Sequence, residues 1–349
     1  ATLLENRSLA LGEIAEIIAV SRNSTQTAHI MPAGVADAKR GRKVDAPASH
    51  PRRSSTRGGG SFWMLRSCYI LFHAIFWVPV TGIPAIASLL LTPFIGLTRA
   101  QRLLWRCACI YFKITLWVSE VAYSVVGLEN LDPQENYFFA CNHESLYDIP
   151  LCFAALPFWL TAIAKQAIAY FPIFGWAVAC GGSIFVSRGN HAKAVKSLDN
   201  AKSALLKRPR SVLLFPEGTR SGDGVVRPFK KGGLVLAIQA QMPVVPVALC
   251  HTRSIAGAKI EAFKAIEKCD VRLVVGKPIS TVGMAFEDRD KLAATLHAEV
   301  VRLKTLWESK KGAELGNAEV EPFWSCFKPT PPHPSRAWGR IHDAYRELS

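Results

Sequence analysis

Seven short apolar runs punctuate the middle of this chain: VAYSVVGL (121–128), YFFAC (137–141), LTAIA (160–164), SIFVS (183–187), SVLLF (211–215), VVPVAL (244–249) and VRLVVG (271–276). Each has the length of a strand, and none shows the strict alternation of a sheet with one wet face. A nearly continuous apolar strand needs cover on both sides, and helices supply it in α/β proteins. The intervening stretches at 190–207 and 232–241 have helical character. The runs therefore predict an α/β domain around a mixed, mostly buried sheet. No internal repeat is evident, and 349 residues accommodate one large unit with extensions or two average domains.

Upstream, Ser67 to Thr98 contains no Asp, Glu, Lys or Arg in 32 residues. A single spanning helix needs roughly 20 such residues, so the run is long for one span and short for two. Gly82 and Pro84 fall near its middle, where proline removes a backbone donor. A membrane-embedded helical hairpin entering one leaflet is the expectation for 61–99, with a single span as the other reading. Trp63, Arg66 and Arg99 stand at its ends as interfacial anchors. Residues 101–119 continue as an amphipathic helix, with Arg102, Arg106 and Lys113 at helical spacing. Residues 1–60, rich in Ala, Ser, Arg and Gly, read as a disordered or targeting extension, and 308–349, with four prolines between 329 and 334, as a C-terminal one.

Lys and Arg number 42 against 27 acidic residues, a net charge of +15, so an anionic partner is expected. Half of the residues are hydrophobic, which favours a bilayer over nucleic acid, for which there is no motif. Nine cysteines are scattered through apolar stretches without a CxxC, a pattern of reduced, buried thiols in a cytosol-facing protein rather than a disulfide framework or a zinc site.

The chemistry concentrates in four places. In CNHESLYDIP (141–150), a strand-like run leads to His143, and Pro150 fits only in the first turn of a helix, so a helix should begin near 146–149. His143 then lies in the loop and Asp148 in or beside the first turn, close enough for the carboxylate to orient the imidazole and leave Nε2 as a base. Ser145 suits a helix cap. No serine sits in a Gly-x-Ser-x-Gly elbow, so the pair lacks a protein nucleophile and suits activation of a substrate hydroxyl. LLFPEGTRSGDG (213–224) places Glu217, Gly218, Thr219 and Arg220 in a polar turn, followed by Arg227, Lys230, Lys231 and a glycine-opened helix, a composition suited to a phosphate. GGSIFVSRG (181–189) ends a strand at Arg188, and MPVVPVAL (242–249) is a proline-punctuated strand whose role must be shape.

These four blocks, in this order, resemble the glycerolipid acyltransferase family: Asn142, His143 and Asp148 as N-H-x4-D; Gly182 to Arg188 as G-x-I-F-V-x-R; Phe215 to Ser221 as F-P-E-G-T-R-S; and the strand at Pro243 to Pro246. FKKG at 229–232 is also similar, and the resemblance runs from about 60 to 310. It implies an acyltransferase domain, here 100–307, behind a two-helix membrane motif. It further implies that His143 is the general base on an acceptor hydroxyl, that Asp148 orients it, and that Glu217, Gly218, Thr219, Arg220, Arg188 and Lys165 bind the acceptor's phosphate. Position 187, often acidic in relatives, is Ser here. The implied reaction moves a fatty acyl group from acyl-CoA or acyl carrier protein to the sn-2 hydroxyl of lysophosphatidic acid, giving phosphatidic acid, with no further cofactor and no metal. Another lysolipid acceptor, such as lyso-ornithine lipid, and an inactive membrane-bound binding protein are the alternatives. The expected location is a membrane, the inner one in a bacterium, with the site facing the cytoplasm.

Overall fold

All seven apolar runs are strands: Tyr123–Val126 (β1), Phe138–Cys141 (β2), Leu160–Lys165 (β3), Ile184–Val186 (β4), Ser211–Leu214 (β5), Val244–Cys250 (β6) and Val271–Val275 (β7). They form one sheet in the order β1-β7-β6-β2-β5-β3-β4. Every neighbouring pair is parallel except β6 and β7, so the sheet is mixed, as expected. The structure is a computed structural model and describes residues 90–170, 174–186, 191–255 and 271–309, with isolated positions at 76, 83, 87 and 88. The expectations for 1–60, for the break at Gly82 and Pro84, for Arg188 and for the tail beyond 309 lie outside the described residues.

The described helices are Thr92–Ile95 (α1), Leu97–Val118 (α2), Asp148–Ala155 (α3), Phe174–Cys180 (α4), His191–Lys207 (α5), Gly232–Gln239 (α6) and Arg289–Glu308 (α7). They cover both faces of the sheet. Because side chains alternate along a strand, Phe139 and Cys141 of β2 join Leu151, Cys152, Leu213, Val245 and Leu116 in a core on the α2 and α3 side. Phe138 and Ala140 join Val212, Leu214, Leu236 and Leu296 on the α6 and α7 side. Strands β2, β5, β6 and β7 are buried along their whole length, which is why their sequences do not alternate.

The amphipathic helix expected at 101–119 is α2, and it turns its apolar stripe inward. Leu104, Ile114, Leu116 and Val118 are buried, and the Phe112 ring meets Phe153 of α3 at 5.4 Å. No described helix is long and apolar enough to cross a membrane. The proline of β6 is accommodated by the antiparallel edge. Its carbonyl accepts from Gly276 N–H at 2.8 Å, and in a strand a residue's N and O face the same side. The amide that Pro246 lacks therefore faces the end of β7, where the register closes at Val247 and Val275, and leaves the bonding to β2 intact.

One turn between β1 and the rest of the domain depends on glycine. Gly127 has φ +89°, and a Cβ there would stand 2.1 Å from the carbonyl oxygen of Val275, which already accepts from Asn130 Nδ2 at 3.0 Å. Gly127→Ala combines a left-handed backbone with a main-chain clash, so it should cost roughly 1–3 kcal/mol or more. Asn130→Ala, which removes one hydrogen bond, should cost about 1 kcal/mol. Denaturant midpoints of the detergent-solubilised protein measure both, and a larger loss for Asn130→Ala than for Gly127→Ala contradicts this account.

Candidate active site

Three neighbouring parallel strands, β6, β2 and β5, end at the same edge of the sheet. From β2 the chain crosses through α3 toward β3 on one side, and from β5 it crosses through α6 to β6 on the other. Strand order therefore reverses around β2, and an open crevice lies outside the carboxyl ends of the strands at such a switch. CNHESLYDIP leaves β2 there and FPEGTRS leaves β5 beside it.

Asn142 makes the first connection. Its Oδ1 accepts from Leu249 N–H at 2.7 Å and its Nδ2 donates to Leu249 O at 3.0 Å, so a side-chain amide continues the ladder from β2 to β6. His143 follows and is held at every polar main-chain atom. Its N–H donates to Glu217 Oε1 at 2.8 Å, and its carbonyl accepts from Ser221 N–H at 2.8 Å. The Phe215 ring stacks on the imidazole, with centroids 4.3 Å apart and planes at 28°.

Asp148 is the first residue of α3, and Pro150 occupies the first turn, where no N–H is required. Its Oδ2 accepts from His143 Nδ1–H at 2.7 Å, from Glu144 N–H at 2.7 Å and from Ser145 N–H at 2.8 Å. With Nδ1 donating to the carboxylate, Nε2 carries the lone pair, an assignment made from the hydrogen-bond network. The His143 side chain is 15% exposed and that of Asp148 is 0% exposed. The imidazole is thus reachable and the carboxylate bonded to it is sealed from water.

Ser145 does not cap the helix. Tyr147 occupies the cap position without a side-chain hydrogen bond, and Ser145 Oγ accepts from Tyr147 N–H at 3.2 Å to tighten the loop before α3. The turn after β5 corrects a second expectation. Glu217 was expected at the phosphate, but it is buried with Oε1 on His143 N–H and Oε2 on Arg227 N–H at 2.9 Å. Burial pushes its carboxyl up, and the two main-chain donors pull it back. An anion with both oxygens so engaged staples two loops and has nothing to offer a phosphate.

Gly218, at φ +74°, closes the turn by donating its N–H to Phe215 O at 3.0 Å, a conformation natural to glycine. Thr219 is exposed and Arg220 half-buried on that turn. Lys165 is the last residue of β3, in register with Val186 of β4. The fold thus gathers His143, Asp148 and the 217–221 turn at one edge.

Asn142 was legible only as part of a motif. The partner of Glu144, Lys304 Nζ at 3.1 Å, comes from α7 and carries no local signal in the sequence.

Comparison with known proteins agrees with this fold. The family model described as Acyltransferase matches residues 122–250. The chain is 32% identical over 218 residues to the 1-acyl-sn-glycerol-3-phosphate acyltransferase of Saccharomyces cerevisiae, covering 62% of this chain and 70% of that protein. It is 27% identical over 235 residues to 1-acyl-sn-glycerol-3-phosphate acyltransferase alpha of Mus musculus, covering 67% and 77%. Among solved structures it is similar to the 1-acyl-sn-glycerophosphate (LPA) acyltransferase PlsC from Thermotoga maritima, with 26% identity and a TM-score of 0.58 over 70% of this chain and 98% of that one. The chain belongs to the glycerolipid acyltransferase family.

Glu217→Gln keeps one acceptor oxygen but sets an amide NH2 against a main-chain N–H. It should remove about 1–3 kcal/mol of stability and lower kcat by roughly tenfold through loss of the His143 register. Unchanged kcat and unchanged unfolding midpoint together would show that the staple is dispensable.

Proposed function

We propose that this chain transfers a fatty acyl group from an acyl thioester, carried by CoA or acyl carrier protein, to the sn-2 hydroxyl of lysophosphatidic acid, giving phosphatidic acid. The observation that carries the reading is the His143–Asp148 pair at 2.7 Å, at the carboxyl end of β2, with Nε2 left as a base. The names of the similar yeast, mouse and Thermotoga proteins supply the acceptor.

In this reading the acceptor hydroxyl gives its proton to Nε2 as its oxygen attacks the thioester carbonyl carbon. The tetrahedral intermediate collapses, the C–S bond breaks, and the departing thiolate takes the proton back from the imidazolium. Ester and thiol are the products, and His143 returns to its starting state. A positioned general base supplies typically ~10²–10⁴ in rate, so much of the remaining acceleration comes from holding two substrates in line.

Arg220, Thr219 and Gly218 on the turn after β5, with Lys165 at the end of β3 and Arg188, two residues beyond β4 in sequence, are the groups proposed to hold the acceptor phosphate. An arginine fork suits that anion. Residues 61–99 are proposed to form the membrane-embedded helical pair, with the site facing the cytoplasm. Leu90, Phe94, Leu103 and Trp117 are exposed on α1, α2 and the segment before them, which supports bilayer contact. A chain that passes from that bilayer into an apolar site avoids the exposure to water that would cost about 0.8 kcal/mol per CH₂.

Acyl transfer in detergent micelles, with both donors and with lysophosphatidic acid beside other lysolipids, tests the reading. His143→Ala and Asp148→Asn should lower kcat by about 10²–10⁴. Arg220→Ala should raise KM for the acceptor by roughly tenfold or more while sparing that for the donor. Retained transfer by His143→Ala sinks the mechanism, and preference for an acceptor without phosphate sinks the assignment of the acceptor.

A further inference from the structure

Glu144 follows the base in sequence, yet its side chain has no part in the chemistry set out above. It is buried, and so is Lys304 of α7. Glu144 Oε1 accepts from Asn142 Nδ2 at 3.0 Å and lies 3.1 Å from Lys304 Nζ. Lys304 also donates to Glu308 Oε1, which accepts in turn from His251 N–H at 3.2 Å, just beyond β6. Asn142 is the residue that ties β2 to Leu249 of β6. The last described helix, α7, is therefore joined, by contiguous polar contacts, to the residue immediately before His143.

Charges are seldom buried without a task or a partner, since desolvation is costly. The Asn142 side chain has two donors and one acceptor, and its orientation decides whether Oδ1 or Nδ2 meets Leu249 N–H. Leu249 N–H and O select one orientation, and the Glu144 carboxylate, which accepts only from Nδ2, adds a third contact that a flipped amide would break. Lys304 keeps that carboxylate in place.

We propose that Lys304 is a positioning residue for acyl transfer: its ammonium fixes the Glu144 carboxylate, which fixes the Asn142 amide and so sets the register in which β2 hands over to His143. The role assigned to His143 in acyl transfer is presupposed. Other charged groups also face Glu144. Glu308 on α7 and Asp148 on α3 raise its carboxyl, and Lys304 lowers it. The thiol of Cys250 on β6 senses the same cluster. On the loop before α6, a Cβ on Gly224 would stand 3.9 Å from Glu144 Oε2 and 3.4 Å from Nη1 of Arg253. Burial dominates and pushes Glu144 up to about 7.

Protonation replaces a charge-assisted acceptor with a weaker one and loosens the hold on Asn142. Part of the acid limb of kcat then belongs to Glu144. Removing Lys304 removes the cation that restrains its rise, so the limb should move to higher pH. For stability the sign is the same as for any carboxyl raised on folding. Glu144 favours the folded state below its unfolded value near 4.5, and that contribution is lost as pH rises through about 7.

The test measures kcat and KM from about pH 5 to about pH 9 for the full chain in micelles. It compares wild type with Lys304→Met, Lys304→Arg, Glu144→Gln and the double variant Lys304→Met/Glu144→Gln. Lys304→Met should move the acid limb up by about one pH unit and lower kcat near neutrality by roughly tenfold, with both KM values within about twofold. Lys304→Arg should return the limb to its wild-type place, and the double variant should show no shift because no carboxyl remains to titrate. An unmoved limb in Lys304→Met, or a shift that persists in the double variant, overturns the proposal, as does a loss of activity with the limb in place. Should Lys304→Met not fold, Glu144→Gln decides by narrowing the acid limb or leaving it unaltered. Unfolding midpoints over the same pH range read the coupling without any substrate. The Glu144-dependent loss of stability should extend to higher pH in Lys304→Met and vanish in Glu144→Gln. Wild type inactive on lysophosphatidic acid would refute the acceptor assignment while leaving that midpoint comparison to decide the coupling.

Discussion

A single carboxylate oxygen, Oδ2 of Asp148, organises the site by accepting from the His143 ring and from the main chain of Glu144 and Ser145. Three donors converge on one atom only if the loop between β2 and α3 curls around it. The curl is what brings residues five apart to hydrogen-bond distance, since in a regular helix, at about 100° per residue, they would point some 140° apart. The same oxygen thus shapes the loop and selects the imidazole tautomer. Folding and the chemistry proposed for the pair use one interaction.

The second arrangement concerns the main chain of His143. An imidazole on a free loop would sample many positions, and a small displacement at a reacting centre is expensive in rate. Here the N–H is held by Glu217 and the carbonyl by the Ser221 N–H, both from the turn after β5. The FPEGTRS block accordingly has two functions that its sequence does not separate. Glu217, Ser221 and Phe215 face inward and hold His143, whereas Thr219 and Arg220 occupy the outer part of the same turn. A strand order that places β5 beside β2 is the precondition for both.

Buried charge is the price of this arrangement, and it is distributed with care. Glu144, Asp148, Glu217 and Lys304 are all buried near one edge of the sheet. Each acidic side chain accepts from main-chain or side-chain donors, which is how a low-dielectric interior tolerates them.

Much of this was written plainly in the sequence. The strands could be read because a sheet covered on both faces demands unbroken apolar runs, and Pro150 marked the start of α3 because proline fits only where an amide is unneeded. The His143–Asp148 pair followed from those two readings. What the sequence did not determine was the order of the strands, because pairing between distant segments depends on the packing of both faces at once. For that reason the inward role of Glu217, the amide clamp of Asn142 on Leu249 and the Lys304 contact to Glu144 emerged only in three dimensions. A local pattern fixes which groups are available for chemistry, and the tertiary contacts decide which of them touch the reacting atoms and which hold the others still.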